Sequence, residues 1–272
     1  MPTSTRPDVA AKSRLDVELV RRGLARSREH AQALVNAGRV RVGGLVATKP
    51  ATGVDGAASV QVLADAGDDY VSRGGHKLAG ALDQLGGPSV AGKRCLDAGA
   101  STGGFTEVLL RRGAREVVAV DVGYGQIDWS LRTDDRVHLL ERTNVRGLTP
   151  EVVAPVDLTV ADLSFISLAL VLPALLSCTN PAGDALVLVK PQFEAGRDAV
   201  GPGGVVRDPE VRAEAVQHVA TTAHALGWGT AGVTASPLPG PAGNVEYFLW
   251  LRGDAPALES PRLTAAIEAG PA

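Results

Sequence analysis

Between residues 94 and 251, short apolar runs rich in β-branched residues alternate with segments of helical spacing. No other feature limits the fold as strongly. Strand candidates are Arg94–Ala98, Glu116–Val122, Val137–Glu141, Asp157–Ala161, Ala185–Lys190, Thr230–Thr234 and Tyr247–Leu251. Helix candidates are Phe105–Arg112, Gln126–Arg132, Leu168–Leu176 and Pro209–Leu226. The stretch from His76 to Leu85 also places Leu78, Ala81, Leu82 and Leu85 on one helical face. An alternation of this length predicts an α/β domain built on a parallel sheet with both faces covered. Ligands of such sheets bind beyond the carboxyl ends of the strands, where strand order reverses. The chemistry is therefore sought at strand C-termini.

The first 60 residues differ in kind. They hold ten Lys and Arg against five acids, whereas the remainder carries a net charge of −8. A small basic module on an acidic body points to a grip for a polyanion, with a solvated basic face as the plainer alternative. Leu15, Leu19 and Arg22 share a helical face that Gly23 can end. Ser27 can cap a second helix that continues through Ala31, Leu34 and Val35 to a stop at Gly38. Val40 and Val42 then alternate with Arg39 and Arg41, and Gly43-Gly44 reads as a hairpin turn before Leu45 and Val46. Two helices and a hairpin with arginines placed in this way resemble the αL RNA-binding fold, the S4 domain, over about residues 14–62. The resemblance implies RNA contacts from Arg14, Arg26, Arg28, Arg39, Arg41 and Lys49, joined by Arg73 from the next segment. The helix start around Arg26 and Arg28 offers phosphate both free amides and guanidinium charge. The domain reading is an S4-like module at 1–63, a linker at 64–73, a larger domain at 74–252 and a tail at 253–272 with a short helical stretch at Leu263–Ala269.

Two cysteines, Cys95 and Cys178, exclude a disulfide framework and a Cys-rich zinc site. Both lie in apolar runs and read as buried thiols, so a reducing, cytoplasmic setting is expected. No apolar run approaches the ~20 residues of a membrane helix, and residues 1–7 lack a secretory apolar region. The five histidines show no ligand spacing, so no metal is expected. A monomer is expected.

At the end of the first strand stands Asp97-Ala98-Gly99-Ala100-Ser101-Thr102-Gly103-Gly104-Phe105. Small residues let a backbone approach a ligand closely, and the following helix start supplies amides. Glycine-rich turns of this kind also serve dinucleotides, but Ser101 stands where their second glycine belongs. Asp97 would oppose a pyrophosphate, yet it suits the ammonium group of S-adenosylmethionine, directly or through water. The cofactor-binding set is read as Asp97, Gly99, Ser101, Thr102, Gly103, Gly104, Phe105, Asp121, Val122, Asn144 and Asp162. Asp121 lies 24 residues after Asp97, near the offset of an acid that accepts ribose hydroxyls, or it caps a helix at Gln126. Asn144 is placed for an adenine edge or for a turn.

Four further polar residues stand at element ends: Lys77, Asp162, Lys190 and Glu246. Singly, each has a structural reading: a snorkelling lysine, an N-cap, an edge charge. In this order and context they resemble the Lys-Asp-Lys-Glu tetrad of FtsJ-like 2′-O-ribose methyltransferases. Val71-Ser72-Arg73-Gly74-Gly75-His76-Lys77, Asp162-Leu163-Ser164-Phe165-Ile166-Ser167 and Gly243-Asn244-Val245-Glu246-Tyr247-Phe248 complete the match. With the basic module, residues 14–252 resemble the TlyA-type rRNA cytidine-2′-O-methyltransferases, a family also called hemolysins. Thr102 departs from the proline common in wider FtsJ-like enzymes and bears on loop stiffness.

The resemblance implies a Rossmann-like class I fold and methyl transfer from S-adenosylmethionine to cytidine ribose of small-subunit, and in some members large-subunit, rRNA. It also implies an effect on sensitivity to capreomycin-type antibiotics. In that scheme Lys190 is the base or the main pKa-lowering group, Asp162 orients it, and Lys77 and Glu246 position the ribose. Which lysine acts as base stays open. A pore-forming hemolysin and a noncatalytic ribosome assembly factor are the competing readings. The segment from Phe193 to Arg207, with Arg197 and four glycines, reads as a lid or as a surface loop.

Overall fold

The structure is a computed structural model that describes residues 12–25, 27–36, 38–56, 58–62, 70–196 and 199–270. Arg26, Arg197 and linker residues 64–69 of the sequence reading lie outside the described residues. The chain divides into two compact units, Met1–Asp69 and Tyr70–Ala272.

The first unit runs β1 (Ser13–Arg14), α1 (Leu15–Arg21), α2 (Arg28–Asn36), β2 (Val40–Val42), β3 (Leu45–Val46), β4 (Gly53–Val54) and β5 (Val60–Val62). Leu15, Leu19, Ala31, Leu34, Val35, Val40 and Val54 form its core. The helical spacing read from the sequence thus marks the packed faces. Gly43 and Gly44, at φ +58° and +86°, turn β2 into β3 with Val42 opposite Leu45. Positive φ at both central residues suits the right-handed twist of a hairpin. β3, β2 and β5 make one small sheet, and β1 with β4 a two-stranded one.

The second unit opens with α3 (Arg73–Leu85), followed by β6 (Arg94–Ala98), α4 (Gly104–Arg111), β7 (Glu116–Val120), α5 (Trp129–Arg132), β8 (Val137–Leu140) and β9 (Val156–Ala161). Then come α6 (Leu172–Ser177), β10 (Thr179–Val189), α7 (Pro191–Glu194), α8 (Pro209–Ala225), β11 (Gly229–Ala235), β12 (Tyr247–Arg252) and α9 (Ser260–Glu268). The seven strands lie in the order β11-β12-β10-β9-β6-β7-β8. Alternate residues feed two cores. Leu96, Val118, Val187 and Leu249 join α6, α8 and α9 on one face. Cys95, Val117, Leu158, Leu186 and Phe248 meet α3 and α4 on the other. This period of two is what a sheet buried on both faces requires.

Several expectations are corrected. The sheet is not wholly parallel: β12 runs antiparallel to both β10 and β11. No helix lies between β11 and β12, so the chain returns directly, and parallel neighbours would need a crossover. The Gln126–Arg132 helix shrinks to Trp129–Arg132 because Asp128 caps it through the Ser130 amide. The Leu168–Leu176 helix splits into a 3-10 turn and α6, broken at the start of α6 by Pro173, which has no N–H to give. β10 begins at Thr179, earlier than read, with irregular pairing between Thr179 and Asp184. Residues 253–270 are more than a tail: Leu263 and Ala266 of α9 are buried, and Thr230 N–H donates to the Pro256 carbonyl.

Leu263 therefore contributes to stability. Leu263→Ala is expected to lower the unfolding free energy by about 2–3 kcal/mol in urea titration, where a solvated tail would give no change.

Candidate active site

The chain lays β6, β7 and β8 outward in one direction, then resumes with β9 on the other side of β6. Strand order reverses between β6 and β9, so their C-terminal loops flank a crevice. A cleft of about 380 Å³ lies there, lined by Gly99, Ser101, Asp121, Val122, Gln126, Asn144, Val145, Asp162 and Leu163 to Ile166. At Gly99, φ is +89° and an added Cβ would stand 2.4 Å from the Asp162 carbonyl oxygen, so only glycine lets the two loops meet.

Six residues of the predicted cofactor set line this cleft: Gly99, Ser101, Asp121, Val122, Asn144 and Asp162. Asp121 accepts the Ser101 amide at 2.8 Å and the Gly123 amide at 2.7 Å, tying the β6 loop to the β7 loop. Its alternative as a helix cap falls, since Asp128 takes that role. Asn144 lines the cleft and also caps a turn, accepting the Arg146 amide at 3.0 Å. Val122 offers an apolar wall at 68% exposure.

Five predicted residues are not among the lining ones. The Phe105 ring is buried against Phe248, with ring centroids 6.0 Å apart, and belongs to the core. Gly103 and Gly104 are packed against Leu131 and Ser72, respectively. The Thr102 carbonyl accepts the Asp128 amide. These residues shape the loop and the start of α4 from beneath. Asp97 is fully buried, with Oδ2 accepting the Thr106 hydroxyl at 2.6 Å and Oδ1 without a partner. Burial pushes its carboxyl up to about 7; the Thr106 hydroxyl opposes the rise, and the charges of Asp162 and Asp121 add to it.

The tetrad residues form two ion pairs. Lys77 Nζ meets Glu246 Oε2 at 2.6 Å, both nearly dry, and Lys190 Nζ meets Asp162 Oδ1 at 2.5 Å. Val189 of β10 pairs with Tyr247 of β12, so Lys190 and Glu246 continue that register past the strand ends. Val187 pairs with Ala161 of β9, which brings Asp162 to the same end. The sheet thus gathers Asp162, Lys190 and Glu246 at the carboxyl end of its central strands, and Lys77 joins them from α3 through Glu246.

Two residues here were quoted within a motif but given no role by the sequence reading. Ser164 accepts from Lys190 Nζ at 3.0 Å. Phe165 stands 91% exposed at the cleft with φ +64°. A large apolar side chain left in water and in the left-handed region is the signal, and neither property is visible in sequence.

In the first unit, buried Asp16 accepts from both Arg14 and Arg28, at 2.9 Å and 3.2 Å. The two guanidiniums remain half exposed. Arg41, Lys49 and Arg73 are exposed, and Arg39 is partly so.

Comparison with known proteins identifies both units. The FtsJ-like methyltransferase family model matches residues 70–253, and the S4 domain model matches residues 13–60. A Mycobacterium tuberculosis protein named 16S/23S rRNA (cytidine-2′-O)-methyltransferase TlyA is 63% identical, covering 90% of this chain and 91% of its own. Hemolysin A of Brachyspira hyodysenteriae is 37% identical over 86% of this chain and 98% of its own. A solved structure from Streptococcus thermophilus, described as a candidate hemolysin, is 38% identical with TM-score 0.75 and 96% coverage of both chains. Among the described residues no helix is long and apolar enough to cross a membrane. An S4 domain followed by a methyltransferase domain, shared with relatives over most of its length, shows that the chain belongs to the TlyA-type FtsJ-like methyltransferases.

Proposed function

We propose that this protein methylates the ribose 2′-hydroxyl of cytidine in ribosomal RNA with S-adenosylmethionine as donor. The observation that carries the reading is Lys190, held by Asp162 and Ser164 at the switch-point cleft. Cytidine and rRNA as substrate are supported by the name of the M. tuberculosis relative and by the S4 domain.

The cleft residues fit the donor. Asp121 keeps lone pairs for ribose hydroxyls while its carboxylate is oriented by two amides. Val122 and Asn144 suit the adenine, and the unpartnered Asp97 Oδ1 beneath the loop suits an ammonium group, directly or through water. S-adenosylmethionine, when bound, supplies an electrophilic methyl group on a sulfonium.

What remains for the chain is to align the nucleophile and stabilise negative charge on its oxygen. Lys190 acts in one of two ways: as an ammonium it stabilises the alkoxide-like oxygen while the hydroxyl proton passes to solvent, or, having first lost a proton to solvent, its neutral amine takes the hydroxyl proton. Asp162 and Ser164 fix the Lys190 ammonium in place. Lys77, locked by Glu246, adds a second ammonium at the neighbouring strand end and positions the ribose. The exposed Phe165 ring offers a face for an unstacked base. Arg14, Arg28, Arg39, Arg41, Lys49 and Arg73 supply the phosphate contacts.

Lys190→Ala should reduce tritiated methyl incorporation into ribosomal subunits at least about 100-fold, with S-adenosylhomocysteine affinity by calorimetry close to wild type. Equal incorporation would remove Lys190 from the chemistry. The pH sign follows from Asp97. Its carboxyl titrates near 7 in the free protein, so below that value binding an ammonium requires loss of a proton. Affinity for S-adenosylhomocysteine should therefore rise between pH 6 and 7, with proton release seen in buffers of different ionisation enthalpy. The raised value also means that stability falls as pH rises from about 4 to about 7 and stays at that lower level above, so Asp97→Asn should bind weakly yet melt no lower at pH 8. Arg41→Ala should weaken subunit binding and lessen the slope of log affinity against log salt by about one.

A further inference from the structure

The loop after β9 carries Asp162, Ser164 and Phe165, and α7 follows Lys190 directly. Two ties between them lie at the site itself: Lys190 with Asp162 and Ser164, described above, and Phe165 tilted against Phe193 with centroids 5.2 Å apart. A third lies away from the residues that line the cleft. Glu194, the last residue of α7, accepts the Ser167 hydroxyl on Oε2 at 2.6 Å and the Leu168 amide on Oε1 at 2.7 Å. Ser167 in turn accepts the Ala169 amide at 3.2 Å and starts the turn that follows.

Each side of this contact needs the other. Burial pushes the Glu194 carboxyl above the ordinary carboxylate range; the Ser167 and Leu168 donors, with the charge of His218 on α8, oppose the rise. A carboxylate taken partly from water is costly unless its oxygens are filled, and both donors come from the loop. The loop has its own strain to hold, since Phe165 sits at φ +64°. Such a conformation persists only where flanking contacts over-determine it.

We propose that Glu194 is a positioning residue for methyl transfer: by gripping Ser167 and Leu168 it fixes the intervening loop against Lys190, and so keeps Ser164 on the Lys190 ammonium and Phe165 at the cleft. The inference rests on the role given to Lys190 above. Glu194 touches neither donor nor RNA in this scheme and acts through the loop.

The test compares Glu194→Ala, Glu194→Gln and Ser167→Ala with wild type and with Lys190→Ala, in full-length protein. The readouts are kcat and KM on ribosomal subunits, and amide hydrogen exchange of residues 163–168. Glu194→Ala should lower kcat at least about tenfold, change KM for subunits far less, and speed exchange in that loop alone. Glu194→Gln, which still accepts from the Leu168 amide and can donate to Ser167 Oγ, should recover most of the loss. If Glu194→Ala does not fold, Glu194→Gln and Ser167→Ala decide, with Ser167→Ala expected to lower kcat and speed loop exchange. An unchanged kcat in folded Glu194→Ala beside an inactive Lys190→Ala overturns the inference and leaves the functional reading standing. Lowered kcat with unchanged loop exchange also overturns it. Active Lys190→Ala would instead sink the catalytic reading, while loop exchange would still report whether Glu194 holds the loop.

Discussion

The second unit is organised by one constraint: β6 has parallel neighbours on both sides, laid down at different times. Chain leaving β6 turns toward β7, and chain returning through β9 arrives on the opposite flank. Two loops therefore part company above β6 and leave a crevice that no strand can fill. The Asp162 amide still donates to the Ala98 carbonyl, so the strands stay paired up to the point of separation. Gly99 then allows the loops to touch before they diverge. The cleft, Asp162 and the exposed Phe165 all hang from this one seam.

Placing charge there has a cost that pairing offsets. Lys77 and Glu246 are almost wholly withdrawn from water, and removing either partner would strand the other. The same device recurs in the first unit with a different outcome. Asp16 is buried, and the guanidiniums of Arg14 and Arg28 hold its carboxyl well below the usual carboxylate range. There the acid stays inside and the cations face outward. In the second unit both partners of the Lys77 pair are enclosed; in the first the cations leave a positively charged surface.

The sequence carried much of this because periodicity reports burial. The β6 limits were readable to the residue, since the strand runs from Arg94 through a short buried stretch, apolar but for Asp97, to the turn at Gly99. The four charged residues were singled out by their resemblance to a family motif, since singly Lys77 within α3 and Glu246 before β12 look like ordinary charges. Less visible was anything decided by three-dimensional neighbours. Phe105 reads as part of a ligand loop until Phe248 is seen beneath it. The direction of β12 depends on what the 236–246 connection fails to contain. α9 lies in a stretch that reads as a tail with a short helix, and only the burial of Leu263 shows that it belongs to the core. Glu194 reads as one surface acid among many until its two donors are known.

The Lys77–Glu246 bond joins residues 169 positions apart, from the first helix of the second unit and the base of its last strand. Chain emerging from a ribosome presents Lys77 long before Glu246 exists. Until the closing strand is delivered, that ammonium has no counter-charge and no reason to leave water, and β10 lacks the neighbour that completes its edge. Contacts of such separation form late, because their closure entropy is met only when the rest of the sheet is in place. A product that ends before Glu246 therefore carries Lys77 without the partner that lets its ammonium be enclosed.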